Sequence, residues 1–361
     1  MNIHLKRRGF DHGSYDLNKA IQTIDTLANW QQGKPILLRS ACEKNLLLHQ
    51  QHIDESAILY QAILNNEEAE FLLDQIPYID RIQKHFESLG SSINEGDDQE
   101  IETVLFDAIC DNTNSEIDNE LIAEDLWMKI SWLSFYEEDA SLRFRFSFGV
   151  DLHEDVALDK NRQHYASLLT DAIFPESAII TQNGQLIELI KQTLNCDSVD
   201  FVERIIYFNA PDGGAYLHHD RERGHAGVVY AQLTGSTYWI ALTKKQLIKE
   251  LITFIQQSEI DDGWPSNISG QMQTELLELA KNIGNLSDEL ESFSHSTLIH
   301  LINETEAFTH QLILNDHCRV VQAGDILLLP QETEDNCCWH SVFTLGDNAG
   351  QSLSFAIKKS G

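Results

Sequence analysis

Positive charge is scarce in this sequence of 361 residues: 25 lysines and arginines stand against 57 aspartates and glutamates, a formal net charge of -32. A surface that negative repels phosphate backbones and anionic lipid headgroups over a Debye length or so. No nucleic acid and no membrane surface is expected as a general partner, because affinity for either comes largely from cations that neutralise phosphates. A basic protein, a cationic peptide or a small molecule stays open. Long apolar runs are also missing, so no helix is expected to span a membrane. The basic start, MNIHLKRRGFDHGSYD, lacks the apolar core of a secretory signal, and a cytoplasmic location is the expectation. None of the cysteines (Cys42, Cys110, Cys196, Cys318, Cys337, Cys338) forms a C-x-x-C pair, which excludes zinc-ribbon and thioredoxin-type chemistry. Reduced cytosolic thiols account for them. No segment repeats.

What is present divides the chain by period. Residues 15–90 read as mostly helical, interrupted at 35–39 by the apolar run after Gly33-Lys34-Pro35, a strand. The acidic, polar stretch 91–125 reads as a solvated helical excursion, and 117–136 as an amphipathic helix carrying Trp127, Met128 and Trp132. At Leu142 the period becomes two: Leu142, Phe144, Phe146 and Phe148 alternate with Arg143, Arg145 and Ser147. After a helical stretch at 162–195, strand-like runs follow at 201–208, 228–233, 237–242, 326–329 and 352–357. Helical patterns at 247–255, 274–283 and 297–314 interrupt them. The expected class is α+β. A mainly β core carries an N-terminal helical region (1–140), a first barrel part (141–243), a helical insertion (244–315) and a closing barrel part (316–361). The insertion is expected to be a lid, a substrate platform or a dimer element.

Chemistry enters with His-x-Asp. On a strand this spacing puts an imidazole and a carboxylate on one face. With one more histidine from a neighbouring strand it makes the facial set that suits Fe(II) and leaves positions open. The motif occurs at His52/Asp54, His153/Asp155 and His218/Asp220. The first opens a helical stretch, where Asp54 and Glu55 look like N-terminal capping. The second lies in an acidic loop. The third sits between β-runs, after the turn Asp212-Gly213-Gly214, and context selects it. His219 falls on the opposite face and reads as a structural histidine; His225 is a candidate for the mouth of the site.

Here a resemblance becomes specific. Tyr216-Leu217-His218-His219-Asp220 followed by Tyr230-Ala231-Gln232-Leu233-Thr234-Gly235 resembles the JmjC/cupin-8 family of Fe(II)/2-oxoglutarate oxygenases. Ala323-Gly324-Asp325 through Pro330 is similar to its Gly-Asp-apolar-Pro segment, and Trp339-His340-Ser341-Val342 to its second ligand strand. Ser352 to Ile357 resembles the closing strand, and Trp30 with 34–39 the lead-in strand. The resemblance implies a double-stranded β-helix, the jelly-roll cupin barrel, with His218, Asp220 and His340 as iron ligands and 2-oxoglutarate as co-substrate.

One departure matters. Where the family commonly has a lysine for the distal carboxylate of 2-oxoglutarate, this sequence has Thr237, which brings no charge. No arginine follows on the strand after His340. Candidates for holding the co-substrate are therefore Arg143, Arg145 and Arg204 by charge and Tyr216, Tyr230 and Thr237 by hydroxyl. Ser354 stands where relatives often have an asparagine. The resemblance implies a hydroxylase acting on a protein side chain or a small molecule, with a homodimer possible. Two other readings stay open: a metal-binding cupin that does not use 2-oxoglutarate (an oxygenase with another electron source, or an isomerase), and a non-catalytic binding module.

Overall fold

The computed structural model describes residues 2–7, 10–16, 26–92, 100–110, 120–132, 141–149, 159–211, 213–221, 225–292 and 294–360. A hairpin of β1 (Asn2–Arg7) and β2 (Phe10–Asp16) precedes α1 (Thr26–Gln31), β3 (Ile36–Leu38), α2 (Glu43–Leu64), α3 (Ala69–Leu73) and α4 (Tyr78–Ile82). Four strands come next: β4 (Phe86–Ser92), β5 (Glu100–Cys110), β6 (Glu120–Trp132) and β7 (Leu142–Phe148). Helices α5 (Lys160–Ile173), α6 (Ala178–Thr181) and α7 (Gly184–Leu194) lead to β8 (Ser198–Asn209), β9 (Gly214–His218), β10 (Gly227–Gln232) and β11 (Ser236–Thr243). Then come α8 (Lys244–Ile260), α9 (Gly270–Ala280), α10 (Ile283–Ser292), α11 (Ser296–Glu304) and α12 (Glu306–Leu314). The chain closes with β12 (Cys318–Gln322), β13 (Ile326–Pro330), β14 (Cys338–Leu345) and β15 (Gly350–Ser360).

Strands β8 to β15 form two antiparallel sheets, one containing the order β13-β10-β15-β8 and the other β12-β11-β14-β9. Successive strands switch sheet, except that β11 and β12 are neighbours joined through α8–α12. That strand order is a double-stranded β-helix, and the whole is α+β. The first sheet continues past the barrel through β8-β7-β6-β5-β4 on one side and β3 on the other. Layering follows from alternation. Outward from the first sheet, Phe144, Phe208, Leu353 and Phe355 pack against Leu59, Ile173 and Ile190 of the helices. Outward from the second, Tyr238, Ile240, Leu242 and Trp339 pack against Leu247, Leu286 and Leu301 of α8–α12. Between the sheets lie Tyr230, Trp239, Ala241, Val321, Leu327 and Leu329. Each fully buried aliphatic or aromatic side chain contributes about 1.5–3 kcal/mol, so these faces fix the register of the strands.

Two glycines are required by close approach. A Cβ at Gly214 would lie 2.1 Å from the Val342 carbonyl oxygen, so only glycine lets β9 meet β14 there. At Gly227 a Cβ would lie 2.3 Å from the Trp30 ring, which is how the lead-in tryptophan seats on β10. Asp325 of the Gly-Asp segment is structural: it accepts from Arg39 at 2.6 Å, from the Ser40 N–H and from the Gln322 N–H.

Several expectations need correction. The stretch 91–125 and the helix 117–136 are instead strands β5 and β6, as far as the described residues reach. Val104, Phe106 and Ala108 on one strand, and Leu126, Met128 and Ile130 on the other, bury a two-residue alternation against the helices. Adjacent apolar residues such as Trp127 blurred that period, and pairing with β7 decided it. The region 1–140 is therefore not mostly helical beyond residue 86. Helix α2 begins at Glu43, so Asp54 is mid-helix, where it accepts from Gln50, and not a cap. The pattern 297–314 is two helices, broken at Thr305, whose backbone is extended. His153/Asp155 falls outside the described residues.

One buried carboxyl makes stability depend on pH. Glu176 is fully buried between α2 and β15; it accepts from Ser56 and from Gln351 at 2.7 Å, while its Oε2 has no partner. Burial pushes its pKa from 4.5 up to about 7, against those hydrogen bonds. The folded state therefore holds the proton more tightly than the unfolded chain. The favourable contribution is complete below pH 4.5 and is lost as pH rises through about 7, a change of about 3 kcal/mol. In urea melts at pH 5 and pH 8, Glu176→Gln should narrow the wild-type loss of stability by roughly that amount. An unchanged pH slope would refute the assignment.

Candidate metal centre

The centre stands where β9 ends and β14 begins. His340 and His218 are directly paired across the two strands, so both imidazoles leave the sheet on its inner face. Their ring centroids are 4.4 Å apart. Asp220 lies in the loop just past β9, so it does not follow from strand alternation; its backbone N–H donates to Gln331 Oε1 at 3.3 Å. Asp220 Oδ1 is 3.7 Å from His218 Nε2 and Oδ2 is 3.5 Å from His340 Nε2. One ligand atom from each of the three residues fits within 4.8 Å of the other two.

The tautomers are set from behind. His218 Nδ1 donates to the Tyr216 carbonyl at 2.7 Å, and His340 Nδ1 to the Cys338 carbonyl at 3.1 Å. Each bond puts the proton on Nδ1 and leaves the Nε2 lone pair aimed at the centre, as metal-ligating histidines require. Burial and the neighbouring His218 push His340 down to about 4, although Asp220 opposes this. It is neutral at physiological pH and ready to bind. For Asp220, burial alone would raise the carboxyl; His340, His218, His219 and His225 together outweigh it and hold the carboxyl below its usual range. Two imidazoles and a carboxylate on one face fit Fe(II) and comparable divalent ions and leave the opposite positions open.

Gln331 is a functional residue that sequence reading missed. It is fully buried, and besides receiving the Asp220 N–H it donates to the Cys338 carbonyl at 3.0 Å. It thus ties the Asp220 loop to the strand that starts at Cys338. Its place directly after Pro330 carries no pattern that would single it out.

The co-substrate candidates separate. Tyr230 and Ser354 are paired across β10 and β15 and face the barrel interior, as does Thr237 on β11. Thr237 donates to Gln232 Oε1 at 2.9 Å and accepts from Trp239 Nε1 at 3.0 Å; Tyr230 donates to the same Gln232 oxygen at 2.6 Å. The Trp239 ring lies 5.5 Å from that of His340 and so connects this network to the centre. Tyr216 stands two residues before His218 on β9. The three arginines lie elsewhere. Arg204 turns outward to α5, where it binds Asp171 at 2.6 Å and the Ser167 carbonyl. Arg143 and Arg145 sit on β7, beyond the barrel, the first donating to Ser131 and the second over the Trp127 ring. A cation not foreseen is Arg319, directly opposite Trp239 in the β11–β12 pair and so on the inner face. Burial lowers its pKa, its Nη1 donates to the Cys318 carbonyl at 2.6 Å, and no carboxylate among the described residues forms an ion pair with it. The alternation of Arg319 with Val321 was the signal that could have found it.

No protein-family model matches the chain, and no curated protein matches it. Among solved structures, an oxidoreductase of the 2OG-Fe(II) oxygenase family from Burkholderia pseudomallei is similar at 9% identity over 66% of this chain and 69% of that one, with a TM-score of 0.27. The ribosomal oxygenase YcfD of Escherichia coli is similar at 13% identity over 73% of this chain, TM-score 0.27. The matched part is 41% of that structure's length. A further YcfD structure, in complex with cobalt and succinic acid, gives 12% and 0.27. Likeness of this degree carries no functional weight, and the reading of the site rests on its own geometry.

Replacement of Gln331 by leucine should weaken binding of Co(II), followed by its visible absorbance, by about 10-fold or more, since outer hydrogen bonds hold metal ligands in place. His340→Ala should abolish it. Equal affinities for Gln331→Leu and wild type would remove Gln331 from the centre.

Proposed function

We propose that the chain is an Fe(II)-dependent oxygenase that uses 2-oxoglutarate and hydroxylates a protein side chain or a small molecule. The observation that carries this reading is the three-residue face: one ligand atom each of His218, Asp220 and His340 lies within 4.8 Å of the other two, and each imidazole is held from behind through Nδ1. Iron bound there would supply sites for O2 and a chelating keto acid, and the redox chemistry that oxidises a C–H bond. The protein's own part is positional. The Tyr216 and Cys338 carbonyls orient the imidazoles, Gln331 holds the Asp220 loop, and Trp239 covers His340. Arg319 is the inner-face cation that suits a distal carboxylate, in place of a lysine at Thr237. A cationic substrate suits the charge of -32, which would speed its encounter.

A second reading, a metal-binding barrel that does not use 2-oxoglutarate, is favoured by one observation. Thr237 is buried, neutral and engaged on both sides by Gln232 and Trp239. Anaerobic titration of the Fe(II)-loaded protein with 2-oxoglutarate separates the two. The first reading expects a saturable visible charge-transfer band, absent in His218→Ala, with affinity reduced about 10- to 100-fold in Arg319→Met, the cost of a lost charged hydrogen bond. Tight iron binding without a band would establish the second reading instead.

A further inference from the structure

Two of the described helices between β11 and β12 reach the ligand segment: α11 meets strand β9, and α10 meets the loop that follows it. Among the described residues β9 is the outermost strand of its sheet, and one of its edges pairs with no other described strand. On that edge the Leu217 N–H donates to Asn303 Oδ1 of α11 at 3.0 Å. Leu217 immediately precedes the ligand His218. Asn303 makes this bond although its own Nδ2 is buried without a partner, so its acceptor is what the position uses. From α10, Glu291 reaches the two residues that flank Asp220. Its Oε2 accepts from Arg221 Nη2 at 2.8 Å and lies 3.3 Å from His219 Nε2. Its Oε1 binds Lys244 at 2.9 Å, and Lys244 also binds Glu334 in the loop between β13 and β14. The His219 ring packs edge-on against Trp339, the neighbour of His340, at 4.7 Å.

We infer that the α10–α11 segment is a buttress for the metal centre, with Glu291 and Asn303 as positioning residues that hold 217–221 in the ligating geometry. The inference rests on the metal reading above. Three physical points support it. A two-ligand segment at a sheet edge and in a loop has no second neighbouring strand to fix it, so its geometry must come from another element. A carboxylate shared by an arginine, a lysine and a histidine forms a network, which constrains geometry more than an isolated surface pair does. Finally, Asn303 meets Leu217, and Glu291 meets His219 and Arg221, all of them neighbours of ligands in the chain, so the three ligand atoms stay free. The insertion is in this respect neither a lid nor a detached platform. Its helices act through His219, the residue between two ligands that points away from the metal.

The test uses the full chain and Co(II) as the probe, with affinity and the d–d spectrum as readouts and folding checked by circular dichroism. Glu291→Gln keeps the shape and removes the charge; Asn303→Leu removes the acceptor, and Asn303→Asp restores one. Glu291→Gln and Asn303→Leu should each weaken Co(II) binding about 10- to 100-fold and shift the d–d bands, with Asn303→Asp closer to wild type. The unrelated insertion variant Glu278→Gln, whose ion pair among the described residues is with Lys281, should bind like wild type. If Glu291→Gln and Asn303→Leu fold and bind Co(II) within twofold of wild type with unchanged bands, the buttress is overturned while the metal centre stands. If wild type itself binds no Co(II), the metal reading falls and the inference with it.

Discussion

The cross-strand pairing of His218 with His340 is the contact on which the rest of the molecule depends. It sets two imidazoles side by side on the inner face of a sheet that also carries Trp239, Ala241 and Val342 there. Imidazoles and a carboxylate in such a place are costly unless each polar atom is satisfied. The strands supply the first bonds themselves, from the carbonyls of Tyr216 and Cys338. The Asp220 carboxylate stands 3.7 Å and 3.5 Å from the two Nε2 atoms, and its carboxyl is held below the usual range. Pairing also depends on a glycine: with any side chain at 214, β9 could not lie against β14, and His218 would lose its register.

Around that pair the fold is arranged as support in layers. The interior network of Tyr230, Thr237, Gln232 and Trp239 is hydrogen-bonded throughout and stiffens the wall on which His340 stands. The first sheet extends well past the barrel and is clamped by α2 and α5 across an aromatic face, in which Phe144 packs edge-on to both Phe174 and Phe208. Among the described residues the second sheet has no such extension. It is backed by α8–α12 instead, and its edge strand β9 is met by α11. The two halves of the barrel therefore draw rigidity from different parts of the chain, and the centre lies where they meet.

The strands, inside the barrel and beyond it, were legible wherever one face is apolar and the other is not. Leu142 to Phe148 alternates cleanly, and Tyr230, Thr237 and Trp239 fall on the inner face as a two-residue period requires. Legibility failed at β5 and β6, where both faces are partly buried: Trp127 and Met128 are adjacent and both inaccessible, so no single period shows. It failed again for the arginines. Arg204 follows Glu203, which has a left-handed backbone, near a register shift in the β8–β15 pair. Alternation along the strand could not predict that Arg204 turns to Asp171.

The sequence by itself determined the candidate ligand types and the periods of strands with one apolar face, because both are local. His-x-Asp, the glycine turn before it, and runs with one apolar face are properties of a few neighbouring residues. Only the tertiary structure decided which distant residues complete the site. Gln331 beside Asp220, Arg319 opposite Trp239, and Glu291 against His219 and Arg221 join segments separated by tens of residues or more. The physical reason is that strand order and helix packing, and not spacing along the chain, bring such groups within hydrogen-bonding distance.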